Sequence, residues 1–286
     1  MSIARGVLYV VATPIGNLQD LSPRAAEVLT TVDLILAEDT RKTRRLLQYI
    51  GATTPMQAYH EHNERKLSAG LIDQVSKGRT IAVVSDAGTP LICDPGFHLV
   101  QAAHRAGIQV VPIPGPSAIT AVLAAAGFNA QRFVFNGYLP SRRAARLRAL
   151  EEQAQDYRTN VFLEAPHRMA ASLADMCTVF GNLRKACVAR ELSKRFETIR
   201  VDSLTDLEAW FTVNTGQYKG EFIVAIEAAV NAEGEQGSPD TLIAILAKYL
   251  SASDVAAVAA EITGRRKNTL YPLALEAKRQ AEPDDA

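Results

Sequence analysis

Between Val7 and Ala126 the sequence alternates short β-branched runs with longer stretches of helical periodicity, and this alternation leaves few folds open. Val7–Ala12, Leu34–Ala37, Ile81–Ser85 and Ile108–Pro112 read as strands. Between them, Pro23–Val32, Arg41–Ile50, Glu64–Lys77, Gly96–Ala106 and Ser117–Ala126 carry apolar residues at helical spacing and polar residues elsewhere. Strands that alternate with helices predict a parallel sheet covered by helices. This α/β domain is expected to span residues 1–129.

A second α/β segment, expected over residues 130–230, begins with Phe133–Tyr138. Its further candidate strands are Asn160–Glu164, Ala186–Arg190, Thr198–Val201 and Glu221–Glu227; their closer spacing predicts a mixed sheet. Helices are expected at Ala144–Gln155, Arg168–Phe180 and Leu204–Asn214. Residues Asn231–Pro239 are polar, with almost nothing apolar, and read as a linker. The last segment, 238–286, is helical: Asp240–Leu250, Asp254–Ile262 and Asn268–Ala281. Its middle resembles a helix-turn-helix, two helices joined at Gly264 with Arg265, Arg266 and Lys267 opening the second. A three-helix cap docked on the body is the alternative reading.

A chain of 286 residues, 48% hydrophobic and 22% charged, has ordinary globular composition for about two domains, which excludes collagenous, disordered and coiled-coil chains. Its 31 basic and 31 acidic side chains cancel, excluding a uniformly basic nucleic-acid binder but not local basic patches. Cys93, Cys177 and Cys187 lack a C-x-x-C spacing, so neither a disulfide framework nor a zinc site is expected. No apolar run reaches the ~18 residues of a membrane span, and Met1–Gly6 holds no signal-peptide core. A soluble protein in a reducing cytoplasm is the expectation.

The common phosphate signatures are missing. No two glycines have the G-x-G spacing, and no Gly-Lys pair exists for a P-loop. H-E-x-x-H and G-x-S-x-G are likewise absent. The chain instead offers three Pro/Gly-rich turns where a strand has just ended: Thr13-Pro-Ile-Gly-Asn17, Ser85-Asp-Ala-Gly-Thr-Pro90 with Asp94-Pro-Gly96, and Pro112-Ile-Pro-Gly-Pro-Ser117. In an open parallel sheet such turns gather at the carboxyl edge, where ligands bind. Glycine admits close backbone approach, and helix N-termini direct free N–H groups at anions. Any one turn is ordinary punctuation; three together point to a site. Two polar clusters, Glu38-Asp-Thr-Arg41 and His60-Glu-His-Asn63, follow other strands, and Glu38, Asp39 or His60 is a candidate to take a proton from a substrate hydroxyl. Basic runs at Arg41–Arg45, at Arg142, Arg143, Arg146 and Arg148, between Arg184 and Arg200, and at Arg265–Lys267 read either as solvated faces or as contacts to a polyanion.

Taken with Ala37-Glu-Asp-Thr-Arg41, His60-x-His-Asn63, Glu164-x-x-His-Arg168, Ala189-Arg-Glu-Leu192, Lys219-Gly-Glu221 and Lys267-Asn-x-Leu-Tyr271, these turns resemble the tetrapyrrole methylase family of S-adenosylmethionine enzymes. Within it they are most similar to the branch that methylates the ribose 2′-hydroxyl of a cytidine in the decoding region of 16S ribosomal RNA. The ordered set covers nearly the whole chain. The resemblance implies two α/β domains with S-adenosyl-L-methionine in the cleft between them, no metal, a homodimer, and 16S rRNA, within the small ribosomal subunit, as partner. It places Asp86, Gly88, Thr89, Ser117, Ala118, Leu163, Lys219, Gly220 and Glu221 around the donor. Arg41, Arg190 and Lys194 would then hold phosphates, with Arg142, Arg143, Arg265, Arg266 and Lys267 as further RNA contacts. The first loop is reduced to Pro14-Ile-Gly-Asn17, short of the glycine-rich loop of many relatives, which argues against a porphyrinoid substrate. The competing readings are methylation of a tetrapyrrole or corrinoid precursor and a non-enzymatic nucleic-acid-binding module.

Overall fold

The computed structural model describes residues 6–213, 220–229 and 239–281. Residues up to Glu227, apart from Gln155–Tyr157, form one compact unit; Gln155–Tyr157 and the chain from Ala228 onward form a second.

The expected parallel sheet is present. Strands β1 (Val7–Val11), β2 (Leu34–Ala37), β3 (Met56–Ala58), β4 (Ile81–Val84) and β5 (Gln109–Ile113) pair in the order β3-β2-β4-β1-β5, all parallel. Side chains alternate across it as strand geometry demands. Ile81 and Val83 meet Leu71 and Val75 of α3 (Glu64–Ser76) and Leu99 and Ala103 of α4 (Phe97–Arg105) on one face. Ala82 and Val84 meet Ala25 and Leu29 of α1 (Pro23–Thr31) and Leu46 and Leu47 of α2 (Thr40–Tyr49) on the other. Fully burying each such Leu, Ile or Val is worth about 1.5–3 kcal/mol, which locks the register. Strand β3, three residues at the sheet edge, is too short to announce itself by periodicity.

The second sheet is mixed, as expected. Strands β6 (Phe133–Tyr138), β7 (Thr159–Glu164), β8 (Lys185–Arg190), β9 (Thr198–Ser203) and β10 (Phe222–Ile226) pair in the order β6-β7-β10-β8-β9, with only β6 and β7 parallel. One face packs Phe162, Val188 and Val224 against α6 (Arg143–Glu151), α7 (Met169–Phe180) and α8 (Leu204–Val213) through Leu150, Leu173, Met176 and Phe211. The other face is covered by α5 (Ala118–Ala126), whose Val122, Leu123 and Ala126 meet Val161, Cys187, Ala189 and Ala225. Periodicity predicts α5 as a helix without saying which sheet it covers; it leaves the first sheet at β5 and packs on the second.

In the C-terminal unit, α9 (Pro239–Leu246), α10 (Ala252–Thr263) and α11 (Lys267–Ala281) share a core of Ile243, Ala247, Val255, Ala256, Ala259, Leu270 and Ala274. Ser251 caps α10 by accepting the Asp254 amide, and Gly264, at φ 67°, ends it in the left-handed conformation glycine favours. Of the predicted linker, 231–238 lies outside the described residues. Among the described residues no helix is long and apolar enough to cross a membrane.

Candidate active site

The carboxyl ends of β1, β2, β4 and β5 lie on one edge of the first sheet, and the loops leaving them share a wall with the second sheet. Between them is a cavity of about 490 Å³, a size suited to a small-molecule ligand. Ile15, Ile119, Phe135, Leu163 and Ile223 supply an apolar wall. Five carboxyl groups (Glu38, Asp86, Asp94, Glu164 and Glu221) and one ammonium, Lys42, supply the polar one.

The three Pro/Gly turns hold one another in place. Thr13 and Gly88 exchange backbone hydrogen bonds of 2.8 and 3.0 Å, and the Thr13 hydroxyl donates to the Ser85 carbonyl. Gly88 sits at φ 80°, where a side chain would be strained. A Cβ on Gly115 would lie 3.0 Å from that of Ala12, so the third turn packs directly on the end of β1. Beyond Gly88 the β4 loop contains two non-glycine residues with left-handed φ, Leu91 at 72° and Cys93 at 63°. The loop is tied down where the Gly96 amide donates 2.9 Å to the buried Glu64 carboxylate.

The polar wall is organised around Asp86. Its Oδ1 accepts the Asp39 amide at 2.9 Å and its Oδ2 pairs with Lys42 Nζ at 2.7 Å, while its own amide donates to Glu38 at 3.3 Å. Glu164, at the end of β7, is tied to the Ser172 hydroxyl at 2.5 Å and to Arg168 at 3.2 Å. Glu221 pairs with Lys194 at 2.9 Å, and Lys194 also reaches Glu191 at 3.0 Å. Asp94 forms no ion pair among the described residues; burial, then the Glu38 charge, push its carboxyl up to about 6.

Of the three candidate proton acceptors, Glu38 lines the cavity and the other two do not. Asp39 caps α2, accepting the Arg41 amide at 2.8 Å, and pairs with the Arg41 guanidinium, whose hydrogen bonds hold the carboxyl well below the usual carboxylate range. His60 turns its Nε2 to Asn63 at 3.3 Å. Of the expected donor residues, Asp86, Gly88, Thr89, Ser117, Ala118, Leu163 and Glu221 line the cavity. Gly220, at φ 103°, stands behind it, where a Cβ would come within 2.4 Å of Glu191 Oε1. Lys219 lies outside the described residues.

The expected RNA contacts are scattered. Arg41 is 87% exposed yet paired with Asp39, and Lys194 is spent on Glu191 and Glu221. Arg190 ends β8 and does not line the cavity. Arg142 is exposed, whereas Arg143 pairs with Asp175 at 2.9 Å beside Arg146, which is buried against the same carboxylate at 2.7 Å. Arg265 and Arg266 are exposed in the turn between α10 and α11 of the C-terminal unit, and Lys267, also exposed, opens α11. Lys42, Asp94, Tyr138 and Glu164 also line the cavity, though nothing in the sequence marks them individually as site residues. The local signal for Asp94 is its place in Asp94-Pro-Gly96, next to the Ser85–Pro90 turn.

The family model for Tetrapyrrole (Corrin/Porphyrin) Methylases matches residues 7–208, and that for the RsmI C-terminal HTH domain matches residues 233–278. The Ribosomal RNA small subunit methyltransferase I of Pseudomonas aeruginosa is 49% identical over 277 residues, 96% of this chain and 98% of that protein. The chain belongs to the ribosomal RNA small subunit methyltransferase I family. The methyltransferase I of Escherichia coli O157:H7 is 45% identical, with 96% of each chain covered. As a member of this family the chain is an S-adenosylmethionine-dependent methyltransferase. Among solved structures, a uroporphyrin-III-C-methyltransferase from Thermus thermophilus matches with TM-score 0.53 at 20% identity, over 81% of this chain and 98% of that one. A cobalt precorrin-4 methyltransferase matches with TM-score 0.58 at 16% identity, over 76% and 93%. At such identities these matches establish a shared fold, and the methyltransferase I family shares it with enzymes of porphyrinoid chemistry.

Proposed function

We propose that this protein transfers the methyl group of S-adenosylmethionine to the ribose 2′-hydroxyl of a cytidine in the decoding region of 16S ribosomal RNA. The observation that carries this reading is the cavity, lined both by apolar side chains and by a surplus of carboxylates. S-adenosylmethionine has a flat aromatic adenine, a ribose diol, an ammonium and a sulfonium, besides a carboxylate that must be met by backbone amides or solvent. Ile15, Ile119, Leu163 and Ile223 suit the adenine, and carboxylates suit the diol, the ammonium and the sulfonium. Gly88, at φ 80°, faces Ile15 Cγ2 and the Pro116 carbonyl, where an added Cβ would lie 3.4 and 3.8 Å away, and leaves the backbone there open to close approach. Asp86, Gly88, Thr89, Ser117, Ala118, Leu163, Gly220 and Glu221, with Lys219, are the proposed donor pocket.

When bound, the donor supplies a methyl group already attached to its leaving group, a positively charged sulfur. The chain's own work is then to align the acceptor oxygen in line with that methyl, exclude water, and receive the hydroxyl proton on a cavity carboxylate. Glu38 is the expected candidate that stands on that wall. The cavity itself is acidic, so phosphates must be met outside it, by exposed cations such as Arg41, Arg142, Arg265, Arg266 and Lys267. Arg143 is paired with Asp175, and Lys194 with Glu191 and Glu221, and they contribute by setting the surface there, while Arg190, at the end of β8, is a further proposed phosphate contact.

The deciding experiment offers tritiated S-adenosylmethionine to 30S subunits lacking the modification, then digests the RNA and identifies the labelled nucleoside. Label in 2′-O-methylcytidine is expected. Label in a base, or none in 30S or free 16S rRNA while the donor still binds, would sink the reading. Ultraviolet-visible titration with a porphyrinoid should be silent. The same reading carries a cytoplasmic homodimer, which sedimentation of the purified chain tests.

A further inference from the structure

Resting on the ribose-methylation reading, we propose that Asp94 is the general base that takes the proton from the acceptor hydroxyl, with Glu38, which lines the same cavity, as its positioning residue. Elimination among the five carboxylates of the cavity wall leaves Glu38 and Asp94, and Glu38 already accepts the Asp86 amide at 3.3 Å. Asp86 is neutralised by Lys42 at 2.7 Å and occupied by the Asp39 amide. Glu221 is paired with Lys194, and Glu164 with Arg168 and Ser172. A carboxylate already holding a cation is a poor proton acceptor, because the cation stabilises the charged form. Asp94 lines the same cavity, is half-buried, and has no cation paired with it among the described residues.

Burial, then the Glu38 charge, push Asp94 upward and outweigh the opposing pull of the Ser85 hydroxyl. Glu38 and Asp86 add negative charge from the ends of β2 and β4, and burial disfavours ionisation, so the carboxyl titrates near 6. Cys93 and Tyr138 are themselves pushed upward, chiefly by burial, and stay protonated at neutral pH, when Tyr138 can donate a hydrogen bond but not accept the proton. Lys42 stays charged through Asp86. Asp94 is thus mostly ionised at neutral pH yet more basic than an ordinary aspartate, the match a general base needs. Left-handed φ at Leu91 and Cys93 and the Gly96–Glu64 tether hold its loop against the cavity. The step balances. The ribose O–H bond breaks and its proton passes to the Asp94 carboxylate. The oxygen gains the methyl, and the electron pair of the methyl–sulfur bond stays on sulfur, so a sulfonium and a carboxylate become a neutral thioether and a carboxylic acid.

The test measures single-turnover methylation of unmodified 30S subunits against pH for the unaltered protein, Asp94→Asn and Glu38→Gln, with donor affinity by calorimetry. The unaltered protein must first place label on ribose; if it does not, the ribose reading fails before any variant is compared. Given ribose label, Asp94→Asn should lose about 10²–10⁴-fold in rate while donor affinity stays within about twofold. Glu38→Gln should shift the acid limb of the profile to lower pH, because the charge that raises Asp94 is gone. An Asp94→Asn rate within about tenfold of the unaltered protein, a lost donor affinity in that variant, or an acid limb unmoved by Glu38→Gln would each overturn the inference.

Discussion

Lys42 Nζ and Asp86 Oδ2 stand 2.7 Å apart on the cavity wall, joining the first turn of α2 to the loop after β4. The Lys42 side chain is 59% exposed and that of Asp86 26%, so solvent screens the pair and its worth to stability is about 0–1 kcal/mol. Its effect is geometric, since Asp86 also accepts the Asp39 amide and its own amide reaches Glu38. Asp86→Ala should therefore weaken donor binding at least about tenfold, the worth of one charge-assisted hydrogen bond, while the melting temperature moves by only a few degrees. Calorimetric titration and thermal melts separate the two effects.

Much of this wall was legible before the fold was known, and the unread part has physical reasons. The three Pro/Gly turns and Glu38 stand out because their residue types serve a special backbone or a charge. Asp39 looked equivalent to Glu38, but one residue along it became the cap of α2, a role decided by where the helix starts. Asp94 was hidden because nothing local separates a turn aspartate from a base; its environment comes from Glu38, 56 positions away in sequence.

The run Arg142–Arg148 shows the same limit in reverse, since four basic residues in seven read equally as a solvated face or a polyanion contact. Arg146 is buried, with Nε and Nη2 at 2.8 and 2.7 Å from Asp175, and Asp175 is buried too. Arg146→Met should leave that carboxylate buried without its main partner and cost about 3–5 kcal/mol. Arg143→Ala, at a side chain 70% exposed, should cost under about 1 kcal/mol. Arg142→Ala should cost still less. Urea unfolding of the three variants gives the order directly.

The cations Arg265, Arg266 and Lys267 sit at the turn into α11 with their side chains exposed, and Lys267 makes a 3.3 Å hydrogen bond to Ser253. Replacing all three by alanine should weaken RNA binding. It should also flatten the dependence of log affinity on log salt by about 0.7 for each phosphate no longer neutralised. Donor affinity should not change. Filter binding across a salt series measures the slope, and an unaltered slope would remove this turn from the RNA-binding surface.

The Asp94 carboxyl also makes a stability prediction whose sign is opposite to that of most native carboxylates. Its folded value, near 6, lies above the 3.8 of an ordinary aspartate, so between those limits the folded state binds more proton than the unfolded chain. Stability therefore falls as pH rises through that window, and the penalty is fully present above about pH 6. A shift of this size corresponds to about 3 kcal/mol as an upper figure, less wherever the site admits water. Asp94→Asn should consequently melt at a higher temperature than the unaltered protein at pH 8. The gain should shrink as pH falls and vanish only below about pH 3, where aspartate is protonated in both states. A gain that is equal at both pH values would mean that packing, not charge, explains it. A pH-dependent gain joined to a lost rate would mark a residue kept at a cost to stability for the sake of function.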